Sequence, residues 1–344
     1  VLETPAGSVP VVETTLRGRD HVGTARARLG FGRMRYTVVP GLYGLGNPDR
    51  QSPVLVTANY KLSFDHLRRA CDGLDAWVLV LDTGGVNVWC AAGKGSFGTD
   101  ELAHRVVETG VDMVVDNRRL ILPQLGASGV AAHLVERRTG FEVTWGPVMA
   151  ADLPAFLAAG MSATPEMRRK RFGLCERATI VPVELCSAAA PLLAAALAVI
   201  AAGGLAGSSG FQAGALTEAA RGGVVVLIAA LAGLVGVPLL LPWLPGRAFS
   251  VKGAVLGGVA TAVALSWRVG GDPGWLLRLG DVAWLIMGTA LSAFLAMNLT
   301  GSSTFTSLSG VRREMRLAVP LEIAAVIVGL ALWLSSLWLP GAGG

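Results

Sequence analysis

Residues 76–101 read AWVLVLDTGGVNVWCAAGKGSFGTDE. The six apolar residues Ala76–Leu81 have the length and character of a short buried strand. The run stops at Asp82, and a loop follows that holds Gly84, Gly85, Gly93, Gly95 and Gly98. Inside that loop Asn87–Gly95 reads as one short helix or turn. Thr99–Glu108 (TDELAHRVVE) then predicts a helix, with Thr99 as its N-cap and Gly110 as its end. A strand, a glycine-rich loop and a helix make one unit of an α/β layer.

The flanking sequence repeats the pattern. Pro53–Thr57 (PVLVT) reads as a buried strand and Ser63–Cys71 as a helix after it. Val111–Val115 and Arg119–Leu122 are strand-like, Val130–Arg137 is helical, and Glu142–Trp145 is extended. Asp152 is placed to cap a last helix through Ala159. Strands alternating with helices predict a Rossmann-like α/β sheet. Ligands of such sheets bind where loops leave the carboxyl ends of the strands, which singles out 57–61, 82–98 and 123–129.

Composition shows that this is only half of the chain. Of its 344 residues 52% are hydrophobic and 15% charged, and the mean hydropathy is +0.56. Soluble domains carry about 25% charged residues. Residues 1–184 hold 21 Lys/Arg and 19 Asp/Glu, whereas 185–344 hold 8 and 5. The expected organisation is a soluble α/β domain over 1–165, a basic juxtamembrane linker over 166–184, and an all-α transmembrane domain over 185–344. A secreted disulfide scaffold, a coiled coil and a disordered protein are excluded. The net charge of +5 is divided between both halves, so it reads as topology signals and not as a nucleic-acid surface.

Five apolar stretches fill the second half: Leu185–Gly203, Gly223–Leu241, Val251–Trp267, Val282–Leu299 and Leu317–Leu339. Each approaches the roughly 20 residues that span a bilayer core. Arg168, Arg169, Lys170, Arg171 and Arg177 precede the first. Arg247 and Lys252 lie between the second and third, and Arg312, Arg313 and Arg316 between the fourth and fifth. The other side carries only Arg221, Arg268 and Arg278. The positive-inside rule then predicts a multi-pass protein of the cytoplasmic (inner) membrane, its N-terminal domain cytoplasmic and its C-terminus outside. Residues 1–20, which lack an apolar run of signal-peptide length, point the same way. Trp243, Trp267, Trp275, Trp333 and Trp338 suit an aromatic belt. Asp281 and Glu322 sit near span ends, within reach of water, so the spans read as an anchor more than as a transport pathway. Their many small residues permit close packing, a partner helix or a homo-oligomer.

Cys71, Cys90, Cys175 and Cys186 contain no C-x-x-C pair, which excludes a zinc ribbon and an iron–sulfur cluster within the chain. Four lone thiols suit a reducing compartment. In the 82–101 loop a P-loop fails, because Val88 stands where its first glycine belongs and Gly95 where its Ser/Thr belongs. The dinucleotide pattern G-x-G-x-x-G is absent, and the four histidines form no protease pattern. Cys90 is then either a packed, inert thiol or a functional one. Lys94 lies at i+4 on the same helical face, and a nearby ammonium favours the thiolate, a nucleophile or metal ligand. The surrounding glycines leave room for something large and flat.

NVWCAAGKG (87–95) resembles the signature of the membrane-bound corrinoid proteins of microbial mercury methylation. RLGFGRMRYTVVPGLYGLG (28–46), SPVLVTANYKLSFD (52–65), LPQLGASGVAAH (122–133) and GPVMAADLPAFL (146–157) extend the likeness, as does a soluble domain followed by five spans. The soluble half alone is similar to the corrinoid domain of the acetyl-CoA pathway's corrinoid iron–sulfur protein.

The resemblance implies a cobalamin-type corrinoid cofactor whose cobalt takes Cys90 as lower axial ligand. Asn87, Val88, Trp89, Ala91, Ala92, Gly93 and Lys94 would form a cap helix under the ring. Thr57, Ala58, Asn59 and Tyr60, with Gln124, Gly126, Ala127, Gly129 and Val130, would line the pocket. The D-x-H-x-x-G pattern of histidine-ligated corrinoids is absent, and His133 reads as packing or surface. The implied activity is a corrinoid-dependent methyltransferase that carries a methyl group to Hg(II) and forms methylmercury, with Cys90 catalytic through its electron push on cobalt. Its implied partners are a ferredoxin-like iron–sulfur protein as electron donor, a methyltransferase fed by methyltetrahydrofolate, Hg(II) as substrate and the membrane. Cys71 or Cys175 could hand Hg(II) inward. Two other readings stand beside it: a membrane-bound corrinoid methyl carrier of one-carbon, acetyl-CoA-pathway-like metabolism, and a transporter or sensor with a corrinoid-like domain.

Overall fold

The computed structural model describes residues 1–206, 213, 216, 219–268, 278–301 and 308–338. The chain forms two compact units, Val1–Arg171 and Phe172–Gly344. The first is an α/β domain with a mixed sheet, and the second is a set of apolar helices.

In the first unit β1 (Leu2–Thr4) and β2 (Gly7–Val9) make a small antiparallel hairpin. The main sheet has six strands in the order β3–β4–β6–β5–β7–β8. These are β3 (Val11–Val12), β4 (Gly41–Leu45), β5 (Val54–Ala58), β6 (Ala76–Leu81), β7 (Arg119–Leu122) and β8 (Glu142–Trp145). Strands β6, β5, β7 and β8 run parallel, whereas β4 is antiparallel to β6. Every residue of β5 and β6 is buried, because helices cover both faces of a parallel sheet. The helices are α1 (Gly18–Arg28), α2 (Lys61–Ala70), α3 (Val88–Lys94), α4 (Thr99–Thr109), α5 (Val111–Val114), α6 (Ala132–Thr139) and α7 (Leu153–Ala158).

Three local expectations change. Val111–Val115, strand-like by its valines, begins as the helical turn α5, because Gly110 takes a left-handed conformation and turns the chain at the end of α4. The N-cap of α4 is Gly98, not Thr99. The Thr99 hydroxyl instead accepts the Ala131 N–H at 2.8 Å, tying α4 to the start of α6. Asp152 stands at the N-cap of α7 without a side-chain capping bond. Strands β1 to β4 were not legible, since GLYGL and the short N-terminal runs lack both length and alternation.

The polar helix α1 is held by charge. Asp20, Asp65 and Arg68 are buried. Arg68 Nη2 donates to Asp20 Oδ2 at 2.9 Å, and Arg68 Nε to Asp65 Oδ1 at 2.8 Å. Lys61 Nζ reaches Asp20 Oδ1 at 2.9 Å and Asp65 Oδ1 at 2.7 Å. Arg68 Nη1 also donates to the carbonyls of Glu13 and Thr15. Burial raises the Asp20 carboxyl, but hydrogen bonds from Lys61, the Arg17 N–H and Arg68 outweigh it and hold the group well below its usual 3.8.

Among its described residues the second unit contains five helices long and apolar enough to cross a membrane: Leu174–Leu205, Arg221–Leu240, Phe249–Trp267, Leu279–Thr300 and Ser309–Ser336. The third and fourth pack closely through small residues: a Cβ at Gly257 would lie 2.1 Å from Ser292 Cβ. Several polar residues sit differently from the expectation. Asp281 is fully buried, and Arg221, expected in a loop, is buried with it at 3.7 Å. Glu322 is buried, with no hydrogen-bond partner for either oxygen among the described residues; the fifth helix starts at Leu308, so this residue lies well inside it. Trp333 packs edge-on against Trp284 inside the unit and belongs to no belt. Trp243 and Trp267 are exposed, and Trp275 lies outside the described residues. Two of the counted basic residues cap the second helix: Arg177 Nη1 donates to the Leu239 carbonyl at 2.9 Å, and Lys252 Nζ to that of Leu241 at 3.1 Å. Cations there complement the helix dipole.

The buried charge cluster makes a stability prediction. Arg68→Met leaves two buried carboxylates short of a partner, a loss of about 3–5 kcal/mol, and hydrogen exchange across α1 should accelerate. The depressed Asp20 carboxyl gives the wild type stability that is complete above about pH 4 and lost as pH falls further toward the folded-state value. Exchange of the α1 amides measured from pH 5 downward should show that loss in wild type, and a much weaker trend in Asp20→Asn.

Candidate functional site

The order β6–β5–β7–β8 reverses at β5: the chain leaves it to build β6 on one side, then returns to build β7 on the other. A crevice opens at such a reversal, outside the carboxyl ends of the strands. The three loops singled out from the sequence lie at this edge of the sheet, after β5, β6 and β7. The loop after β6 carries α3, and α3 packs against β5 and the turn Gln124–Gly126 after β7.

Helix α3 starts at Val88 because the Asn87 side chain caps it, its Oδ1 accepting the Cys90 N–H at 2.9 Å. The preceding turn is fixed from β5. Asn59 Oδ1 accepts the N–H groups of Thr83 at 3.1 Å and Gly85 at 3.0 Å, and Asn59 Nδ2 donates to Asp82 Oδ1 at 3.0 Å. The Thr83 hydroxyl donates to the Val86 carbonyl at 2.7 Å. From the far side, Glu101 Oε1 accepts the Asp82 N–H at 2.8 Å. Gly85 has φ of 75°, and a Cβ there would lie 2.6 Å from the Met34 carbonyl oxygen. Gly129 lets the β7 loop touch α3, since a Cβ there would lie 2.9 Å from Ala92 Cα and 2.2 Å from the Phe97 carbonyl oxygen.

The helix is thereby fixed in rotation. Val88, Ala91 and Ala92 face the core. Trp89 and Cys90 are half-buried, while Gly93 and Lys94 are exposed. A Cβ at Gly93, three residues on from Cys90, would meet nothing within 4 Å, and Cys90 itself is partly exposed. Among the described residues no group of three or more His, Cys, Asp or Glu could hold a bare metal ion. Cys90 can give a metal one ligand, and the rest of the coordination would have to arrive with the cofactor. A corrin ring, which carries its own nitrogen ligands, meets that condition.

The other expected residues fall into two groups. Thr57, Ala58, Asn59 and Tyr60 are buried at the end of β5. Gln124, Gly126, Ala127, Gly129 and Val130 sit in the β7 loop, with Ala127 exposed and Val130 buried; Gln124 Oε1 accepts from Arg168 at 3.2 Å. His133 is exposed on α6. Glu101 was missed, because a glutamate in the first turn of a helix reads as ordinary dipole chemistry. Cys71 is fully buried, and burial pushes its thiol up to about 12. It is an inert core residue, not a relay.

The family described as CO dehydrogenase/acetyl-CoA synthase delta subunit matches residues 33–157. Relatives named acetyl-CoA decarbonylase/synthase complex subunit gamma match about a third of the chain. The protein of Methanopyrus kandleri is 36% identical over 122 residues, covering 35% of this chain and 26% of that one. That of Methanocaldococcus jannaschii is 35% identical over 127 residues, covering 36% and 26%. That of Archaeoglobus fulgidus is 30% identical over 122 residues, covering 35% and 26%. The chain spans about a quarter of the length of these relatives.

These findings correct the mercury reading. Most of the residues that carried it, 52–65, 87–95, 122–133 and 146–157 with most of 28–46, lie within the region shared with the acetyl-CoA synthase proteins. They mark that common domain and say nothing of mercury. The assignment as a mercury-methylating enzyme is withdrawn. So are its partners: Hg(II), a separate ferredoxin-like donor, a methyltetrahydrofolate-linked methyltransferase and a membrane partner; the relatives are named as subunits of an acetyl-CoA decarbonylase/synthase complex.

The geometry predicts a cost for Asn59→Ala. Removing the carboxamide strands two loop N–H groups, about 1–3 kcal/mol if they stay buried. Denaturant unfolding of the full chain should show the loss, and hydrogen exchange at Thr83 and Gly85 should quicken. Asn59→Asp keeps the acceptor but sets a second carboxylate against Asp82, so it should recover only part of the protection at both amides.

Proposed function

We propose that this chain is a corrinoid methyl carrier of one-carbon metabolism, with its carrier domain tethered to the membrane. The observation that carries the reading is Cys90: one half-exposed thiol on a short helix that Asn59 at the end of β5 and the loop after β7 hold at the reversal point of an α/β sheet. The likeness to acetyl-CoA decarbonylase/synthase subunits supports the same chemistry. A bound corrinoid supplies the cobalt that takes up and gives up a methyl group.

The residues of the chain do the holding. Cys90 would hold the cobalt through its sulfur, and a thiolate donates more electron density than an imidazole does. Trp89, Gly93 and Lys94 would lie under the ring, with Gly93 leaving the ring free to approach. Asn87, Val88, Ala91 and Ala92 set the rotation of α3 and so the direction of the sulfur. Asn59 and the turn 126–130 fix the position of α3, the former through hydrogen bonds and the latter through backbone contact. In this reading the domain is Rossmann-like and its partners are the other subunits of a methyl-transferring complex. The apolar helices hold it at the cytoplasmic membrane with the carrier domain inside. A transporter reading has no comparable support.

The test is spectroscopic. Full-length chain reconstituted with cob(III)alamin should show an absorption spectrum that Cys90→Ala changes, while Cys175→Ala leaves it as in wild type. Identical spectra for wild type and Cys90→Ala would remove this residue from the cobalt and overturn the site.

A further inference from the structure

The fifth apolar helix carries a pattern that the carrier reading leaves unused. Ser309, Arg312, Arg313 and Arg316 stand at i, i+3, i+4 and i+7 of the helix that runs from Leu308 to Trp338, so they share one face. All four are exposed, and together they line an open cleft of about 740 Å3. Among the described residues no carboxylate forms an ion pair with any of the three guanidinium groups. Their acidic neighbour Glu314 is turned elsewhere and accepts the Ser250 N–H at 2.7 Å. Like charges at these spacings destabilise a helix, and a bound anion would relieve that repulsion. The contrast within the unit is clear: Arg177 and Lys252 cap carbonyls, and Arg221 faces Asp281.

The same face changes character further along. Pro320, Ile323 and Ile327 continue it at i+11, i+14 and i+18 from Ser309, and all are exposed, Ile323 by 55% and Ile327 by 62%. A cationic stretch about 10 Å long is thus followed by an apolar one on a single line. A phospholipid has this order of chemistry, phosphate above acyl chain. Arginine is suited to the phosphate end because its planar fork donates two hydrogen bonds to one anion.

We propose that Arg312, Arg313 and Arg316 form a binding site for the phosphate of an acidic phospholipid, whose chains lie along Ile323 and Ile327. The proposal rests on the reading that these helices lie in a membrane.

Native mass spectrometry of the full-length chain, released from vesicles of phosphatidylglycerol mixed equally with phosphatidylcholine, tests it. Wild type should retain phosphatidylglycerol in preference to phosphatidylcholine. Arg312→Gln/Arg313→Gln/Arg316→Gln should lower that preference by about tenfold or more, since each basic residue at an anionic surface adds to it. Arg247→Gln removes an exposed charge off this face and should keep the preference. Equal retention by wild type and the triple variant would overturn the site, and so would an equal loss in Arg247→Gln. Complete displacement of phosphatidylglycerol by millimolar inorganic phosphate would overturn the lipid and leave a free-anion site. Carbonate extraction of the same vesicles separates this from the broader reading. A chain that stays in the pellet but shows no lipid preference overturns the lipid site alone, whereas a chain that is extracted overturns the membrane reading as well.

Discussion

The carboxamide of Asn59 is the constraint on which the site depends. It sits at the end of a central strand, buried, and spends its oxygen on two N–H groups of the neighbouring loop. That loop leads into α3 within a few residues, so the bonds fix where the helix begins. Asn87 then decides its first turn, and Gly129 decides how closely the opposite loop approaches. Cys90 inherits its position from these contacts. Its own side chain makes none of them, which leaves the sulfur free for a ligand.

Much of this was legible in the residues. The apolar runs of β5, β6 and β7 announced parallel strands, and chain order alone put the three loops that follow them at one edge. The short helix around Cys90 followed from Asn87 and Gly95. The antiparallel strand β4 was not legible, because its burial comes from pairing with β6 and not from a pattern of its own. The helical turn at Val111 escaped for the opposite reason: its valines favour a strand locally, and the turn at Gly110 overrules them. The carboxamide bonds of Asn59 and the clamp from Glu101 are tertiary contacts between residues 19 to 26 positions apart, which no local pattern encodes. The signature at 87–95 is not specific to one chemistry, because it and most of the residues around it lie in a region shared with acetyl-CoA synthase proteins.

The helical unit shows how charge counts and structure interact. Arg177 and Lys252, counted as topology signals, also cap the end of the second helix. Arg221 and Asp281 are buried against each other, a costly arrangement that persists only when both partners are present. Glu322 is buried with neither oxygen bonded among the described residues. On the same helix Arg312, Arg313 and Arg316 are exposed.

The central claim is that the Cys90 sulfur meets the cofactor metal directly. X-ray absorption at the cobalt edge, on the full-length chain reconstituted with a cobalamin, reads this without reference to turnover. The account predicts a sulfur neighbour bonded to cobalt in wild type that disappears in Cys90→Ser. A wild-type spectrum fitted by nitrogen and oxygen neighbours alone would contradict it.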